Sequence, residues 1–422
     1  MPLLRRLALA LAPIALLLLL AGLTMQRADL WRPASVALGV TLAIGIGGIP
    51  ALRGYQFTVW IITTVVAGMN YSTELLHWGD FDLRNKWVIL IAIQTVMFGM
   101  GTQMSLRDFA GVLKMPWGVA VALFSQFTVM PLVGWGLTRL VDFPDEIAAG
   151  VILVGCCSSG LASNVMCYIA RANIALSITA TACTTMLAPL VTPLWMKLLA
   201  GTLVEVSVLG MMADIVKIVI VPIGATLLHD YLKTAAARPR RIIHAIAAAS
   251  GAWIVFLIFG GWDLLLGEAA PKTQLAVELF TFLLGATTGG VLYHRLARAE
   301  PRLDRWMPVA SMVGIMYFTT VSTAAGRDNL VQVGLWLFLV AAIHNAAGYF
   351  LGYLLGRAAG LDKQSARTIA FEVGLQNGGM ASGIAGSMGK LATLGLGGAV
   401  FGSWMNISGS ILANFWKKRP PA

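Results

Sequence analysis

The sequence predicts an all-α protein that crosses a membrane many times, and three observations carry that prediction. Hydrophobic residues make up 58% of the 422 residues and charged residues only 12%. The apolar residues fall into blocks of about 17 to 25, the length that crosses a bilayer core as a helix. The 30 Lys and Arg and 19 Asp and Glu, a formal net charge of +11, sit in short segments between those blocks. Basic residues that bind nucleic acid would gather on one face or in one arm, so this spread argues against a nucleic-acid partner.

In chain order the candidate spans are 7–25, 34–51, 55–70, 87–104, 116–138, 147–169, 174–196, 208–228, 242–262, 274–293, 307–324, 330–356, 366–388 and 393–416, fourteen in all. The first follows a basic start, and its apolar run is long with no clear Ala-x-Ala cleavage site, so it reads as a spanning helix rather than a signal peptide. With the amino terminus inside, twenty Lys and Arg fall on that side, nine fall on the other, and Lys217 lies within a span. The positive-inside rule then expects both termini in the cytoplasm and the protein in the plasma (inner) membrane. Cys156, Cys157, Cys167 and Cys183 all lie in apolar segments, which indicates neither a disulfide framework nor a zinc site. The spans divide into two runs of seven about the link from Lys197 to Ser207, and an odd number per half would insert the second copy upside down. That inference rests on the span count, not on likeness between the halves.

Three spans depart from the Leu- and Val-rich composition of a lipid-facing helix. The sixth and seventh contain GCCSSGLASNVMCYIARANIALSITATACTT, from Gly155 to Thr185. The thirteenth, FEVGLQNGGMASGIAGSMG from Phe371 to Gly389, sets Glu372, Gln376 and Asn377 among six glycines. Such stretches suit discontinuous helices, whose freed amides and carbonyls are tolerated only where they line a cavity or meet an ion. Glu372 is the most informative residue, because a carboxylate inside a span is costly and marks an ion path, a proton relay or a partner charge. Simple solvation near a helix end is the bland reading, and Gln376 and Asn377 one turn later weaken it. A hard monovalent cation such as sodium wants several oxygen ligands with little net charge. Ser163, Asn164, Ser177 and Thr181 offer such oxygens, and Ser177 and Thr181, four apart, share a helical face. Any one of them alone reads more readily as a small polar residue that packs helices together.

The segments MFGMG (Met97 to Gly101), SQFTVMP (Ser125 to Pro131), VGCCSSGLASNVM (Val154 to Met166), RANIALS (Arg171 to Ser177), FEVGLQNGG (Phe371 to Gly379) and NISGS (Asn406 to Ser410) occur in an order and spacing that resemble the bile acid:sodium symporter family. The resemblance covers most of residues 55–230 and 307–416. It implies an inverted-repeat transporter fold with a panel domain and a core domain, the core holding two discontinuous helices that cross, with two sodium sites behind the crossing. Carried over by motif, one sodium site uses Ser163, Asn164, Ser177, Thr181 and Glu372. The other uses Gln126, Glu372, Gln376 and the carbonyls of Val373 and Leu375. On the substrate side, Asn377 and Asn406 match asparagines that face the family's cavity. Where the family has Pro-Gly-Gly-Thr before Ala-Ser-Asn, this chain has Ser158, Ser159, Gly160 and Leu161, so Ser159 and Leu161 stand at the expected substrate edge. Met405 replaces a polar residue, commonly His. The implied activity is sodium-driven import of an organic anion such as a bile acid or a small carboxylate. The helix starts near Ser158 to Ala162 and Asn377 to Gly379 would attract its acidic group. The departures leave substrate identity open, and proton coupling through Glu372 is the alternative.

The family plan has ten helices in two inverted fives, and this chain adds to it. The expected units are an extra helix pair at 1–54, a first five-helix repeat at 55–200 and the first helix of the second repeat with a basic loop at 201–241. A second extra pair with a basic loop follows at 242–306, and the rest of the second repeat at 307–422. The partners implied are the organic anion and membrane lipid; the oligomeric state is not legible. A non-transporting sensor on the same fold is one rival reading. An intramembrane enzyme is another, with Cys156, Cys157 or Ser159 as nucleophile and His344 as the base it would need. No HExxH or GxSxG pattern supports that rival, and His344 reads as a packing or hydrogen-bonding residue.

Overall fold

Helices form at every expected span in the computed structural model, which describes residues 2–50, 52–267 and 269–419. Helices α1 (Pro2–Thr24) and α2 (Ala28–Ile46) make a hairpin, and α2 ends at Gly47 and Gly48, short of the expected position 51. After a 3-10 turn at Arg53–Tyr55 come α3 (Gln56–Asn70), a small hairpin of β1 (His77–Trp78) and β2 (Phe81–Asp82), and α4 (Lys86–Gly101). Next are α5 (Pro116–Thr138), α6 (Asp145–Cys156), α7 (Ala162–Ile169) and α8 (Ile174–Ala200). The second half holds α9 (Val208–Thr234), α10 (Ala237–Leu266), α11 (Pro271–Ala299), α12 (Leu303–Ala325) and α13 (Arg327–Ala358). It ends with α14 (Lys363–Gly374), α15 (Gly378–Ser387) and α16 (Leu394–Lys417). Helix α10 begins five residues before the expected 242, because Pro239 falls in its first turn, where a missing N–H costs nothing.

Eight helices among the described residues, α1, α5 and α8 to α13, are each long and apolar enough to cross a membrane. The chain is a multi-pass α-helical membrane protein. Two expected spans are broken, one into α6 and α7 and the other into α14 and α15, as their glycine and hydroxyl content leads one to expect.

The helices pack as two layers. One is a row in the order α1, α2, α3, α12, α4, α9, α11, α10. The other packs α5, α8, α13 and α16 around the two broken helices. The pairs α1/α2 and α10/α11 therefore cap opposite ends of the same row. Gln56 Nε2 donates to the Ala43 carbonyl at 2.9 Å and joins α2 to α3. At the other end Gly290 lets α11 close on α9: a Cβ there would stand 2.6 Å from the Ala225 carbonyl. The buried cost of Lys217 is met by Asp214 and by Glu278 of α11, each 3.1 Å away, so the one lysine within a span is an ion-paired strut between α9 and α11.

Candidate functional site

The two breaks lie against each other. Cys157 leaves the helical region at φ −74°, ψ 165°, and Leu375 does so at φ −106°, ψ 96°. The extended pieces pair as an antiparallel bridge between Ser159 and Gln376. Gly160 N donates to the Leu375 carbonyl and Asn377 N to the Ser158 carbonyl, both at 2.9 Å. Glycine is required at 160, since a Cβ would meet the Gln376 carbonyl at 2.7 Å. Carbonyls freed at the helix ends would be costly unpaired in a low-dielectric interior. Thr192 of α8 donates to the Cys156 carbonyl at 2.7 Å, and Gln126 of α5 donates to Cys157 at 2.9 Å. Asn345 of α13 donates to Gly374 at 2.7 Å, and Ser408 of α16 holds the Asn345 oxygen at 2.5 Å. Sequence reasoning missed Thr192 and Asn345, which carry no motif signal beyond being polar inside a span.

Behind the crossing, Glu372 is fully buried and its two oxygens are divided between hydroxyls of α8. Ser177 donates to Oε1 at 2.5 Å and Thr181 to Oε2 at 2.9 Å; their four-residue spacing puts both on one face of α8, and the family resemblance groups them with Glu372. Ser177 Oγ is also 2.7 Å from Asn164 Oδ1, and Ser163 Oγ lies 3.3 Å from Thr181 Oγ1. A hydroxyl has one hydrogen, yet Ser177 faces two acceptors at bonding distance. The shortfall is met if the Asn164 amide turns its nitrogen to Ser177, if a protonated Glu372 donates to Ser177, or if a cation among these oxygens replaces the missing proton. Among the described residues no basic side chain pairs with Glu372. One carboxylate with three hydroxyls and an amide oxygen is a hard, singly charged donor set, and it fits sodium better than a divalent ion.

The other expected set comes together only in part. Gln126 Nε2 donates to Gln376 Oε1 at 2.8 Å, and Gln376 Nε2 donates back at 3.3 Å and to the Val373 carbonyl at 2.6 Å. The Leu375 carbonyl is taken by Gly160 across the crossing. Glu372 turns both oxygens toward α8, so it belongs to the first set in this conformation. Ser159 also differs from expectation. Its hydroxyl points to Ser163 Oγ at 3.5 Å and to the Leu375 carbonyl at 3.4 Å, on the Glu372 side of the crossing.

On the opposite face, between the two layers, opens a cavity of about 300 Å³. Leu161, Asn377 and Asn406 line it, with Gln103, Gln376 and Met405, and no charged side chain lines it. Asn377 caps α15 by accepting from Met380 N at 3.0 Å, while its buried Nδ2 has no partner. Asn406 donates to Gly402 of its own helix at 2.7 Å. The starts of α7 and α15 both abut this cavity, so the positive ends of their helix dipoles face it. Phe57, Ile61, Val165, Ile315 and Phe318 make most of the remaining wall apolar. The enzyme rival finds no support in the geometry. His344 bonds the Met130 carbonyl at 2.9 Å, not a cysteine or Ser159, and Cys156, Cys157 and Cys167 are buried, unpaired thiols.

The sequence profile of the Sodium Bile acid symporter family matches residues 90–268. The chain is 32% identical over 367 residues to the uncharacterized sodium-dependent transporter YocS of Bacillus subtilis (strain 168), a match that covers 87% of this chain and 92% of that protein. It is 28% identical over 397 residues to the probable chloroplastic sodium/metabolite cotransporter BASS1 of Oryza sativa subsp. japonica, over 93% of this chain and 77% of the relative. With the ileal sodium/bile acid cotransporter of Homo sapiens it shares 28% identity over 296 residues, 69% of this chain and 66% of the relative. All three relatives are transporters by name, none an enzyme. At this identity and coverage the chain belongs to the sodium bile acid symporter family.

Proposed function

We propose that this protein imports an amphipathic organic anion by coupling it to sodium, with one sodium ion held by Ser163, Asn164, Ser177, Thr181 and Glu372. The observation that carries the reading is the Ser177 hydroxyl, one hydrogen shared between Asn164 and Glu372 at 2.7 and 2.5 Å. A second ion would use Gln126, Gln376 and the carbonyls of Val373 and Leu375, with Glu372 shared. Both glutamine amides would have to turn their oxygens inward for that. The names of the relatives, sodium/metabolite and sodium/bile acid cotransporters, support the same coupling.

The anion would occupy the cavity, its acidic group at the starts of α7 and α15 beside Asn377, its apolar body along Phe57, Ile61 and Phe318. A volume of about 300 Å³ is at the lower end for ligand pockets, which favours compact anions in this conformation. The row and the second layer would act as panel and core. The neighbour order α3, α12, α4, α9 reads the same from either end if α3 corresponds to α9 and α4 to α12, which supports two inverted repeats. The charge distribution favours cytoplasmic termini, and a plasma (inner) membrane is the proposed location.

Uptake of labelled taurocholate and labelled pyruvate into proteoliposomes tests the reading. An inward sodium gradient is expected to drive one of them at least tenfold over a potassium control, with Glu372→Gln at the control level. Full sodium-driven uptake in that variant contradicts the assignment. Uptake driven in potassium by a proton gradient alone transfers Glu372 to proton coupling.

A further inference from the structure

Helices α10 and α11 run antiparallel, as Trp253 Nε1 donating to Thr281 at 3.1 Å and Thr288 donating to the Ala247 carbonyl at 3.2 Å fix them. Arg238, Arg240 and Arg241 at the start of α10 thus meet Arg295 and Arg298 at the end of α11, beside the end of α9 and the first turn of α12. The carboxylates of that corner are engaged. Asp304 accepts from Tyr293 Oη at 2.7 Å and Lys233 at 3.1 Å and lies 3.4 Å from His229, and Glu300 pairs with Arg302 at 3.9 Å. Among the described residues those five arginines form no ion pair.

Three buried nitrogens in this corner lack partners. Arg240 donates from NH2 to the Leu232 and Ala235 carbonyls at 3.3 and 3.1 Å, closing the end of α9, and its Nε–H is left over. Arg295 contacts His244 Nδ1 at 2.9 Å. A guanidinium only donates, so the neutral His244 ring carries its hydrogen on Nε2, which is buried and unpartnered. His294, 3% exposed, sets its Nδ1 3.3 Å from His229 Nδ1; His229 Nε2 faces the Asp304 carboxylate and carries the hydrogen, so His294 donates from Nδ1 and its unpartnered Nε2 is an acceptor that offers an anion nothing. Arg240 and His244 are four apart and share a face of α10, and Arg298 lies one turn beyond Arg295, which contacts His244, on α11.

Orphaned donors held by packed helices, in an excess of positive charge, are what a multi-oxygen anion satisfies. We propose that Arg240, His244 and Arg298 form a phosphate-binding site that takes the phosphoryl group of an anionic lipid or a free phosphate. A basic pocket between helices at the end of the spans is where lipid headgroups lie. The site is independent of the sodium reading, because among the described residues α10 and α11 pack mainly on α9 and on each other, not on the broken helices.

Native mass spectrometry of the full-length protein in detergent, doped with phosphatidylglycerol or phosphatidylcholine, reads the lipid source. Severalfold preferential retention of phosphatidylglycerol, abolished in Arg240→Gln/His244→Ala, supports the site. Thermal unfolding in inorganic phosphate against chloride reads the soluble source; a phosphate-specific rise lost in the variant supports it equally. Unchanged lipid selectivity in the variant, or neither lipid selectivity nor a phosphate shift in the wild type, overturns the proposal. If Arg240→Gln frays α9, His244→Ala alone gives the same reading, because His244 caps no helix.

Discussion

The two polar clusters behind the crossing use similar atoms and differ in what those atoms have left to offer. Around Glu372 the donors are hydroxyls, each with one hydrogen, and acceptor oxygens outnumber protons. Around Gln126 and Gln376 the donors are primary amides with two hydrogens each, and they satisfy one another and two carbonyls. In the proposed function the first cluster is the one short of hydrogens, and a cation would take their place. The second is closed on itself and must rotate two side chains to open. If both hold sodium, the Glu372 cluster fills first, and filling it would hold the crossing in place while the glutamines turn.

The largest expected effect breaks the first cluster. Glu372→Gln keeps the shape and two hydrogen-bonding atoms but removes the charge, and sodium affinity should fall more than about a hundredfold, beyond the 10–100-fold typical of residues that only orient ligands. Sodium titration followed by intrinsic fluorescence or calorimetry reads this. Gly160→Ala acts on the frame both clusters share. A Cβ 2.7 Å from the Gln376 carbonyl should force the breaks apart, lower stability by about 1–3 kcal/mol and weaken sodium binding. A variant with wild-type melting temperature and sodium affinity would mean that the breaks tolerate separation.

Gln126→Ala sharpens the comparison. It deprives the Cys157 carbonyl and the Gln376 oxygen of a donor, at a cost of about 1–3 kcal/mol, and leaves the Glu372 cluster intact. Sodium should still stabilise this variant, and the sodium dependence of uptake should change from sigmoidal to hyperbolic. Complete loss of the sodium response would mean that the two clusters work as one.

Much of this was legible in the sequence. Helices at the fourteen apolar blocks followed from block length, the two breaks from glycine and hydroxyl content, the shared face of Ser177 and Thr181 from helical spacing, and their grouping with Glu372 from the family resemblance. The pairing of the breaks was not, because it depends on backbone atoms of Ser158, Gly160, Leu375 and Asn377 that come from distant parts of the chain. Nor were the Thr192 and Asn345 bonds to freed carbonyls, since one hydroxyl or amide among many in apolar segments has no periodic signature. The side to which Ser159 turns, and the closure of Gln126 on Gln376, are set by tertiary packing alone.

The smallest expected effect lies far from the crossing, in the β1–β2 hairpin. Arg84 donates to Asp82 from its side-chain Nε and NH2 and from its backbone N–H, and holds its carboxyl down from 3.8 to about 2. Because the folded value is depressed, the stabilisation is complete above pH 5 and is lost as pH falls toward about 2. The pair is largely solvated, so only local opening should follow. Hydrogen exchange of residues 77–84 is expected to be unchanged between pH 5 and 7 once corrected for intrinsic rates. It should show added opening near pH 3, an increment missing in Arg84→Gln. An equal acid response in that variant would remove Arg84 as the cause.

Thermal unfolding of the purified protein in sodium chloride against potassium chloride, at equal ionic strength, tests the Glu372 cluster most directly. Saturation at about a hundred times the dissociation constant contributes about 2.7 kcal/mol, so the melting temperature should rise in sodium and not in potassium, and the rise should vanish in Glu372→Gln. An equal rise in both salts, or a sodium-specific rise that survives in Glu372→Gln, would contradict the account.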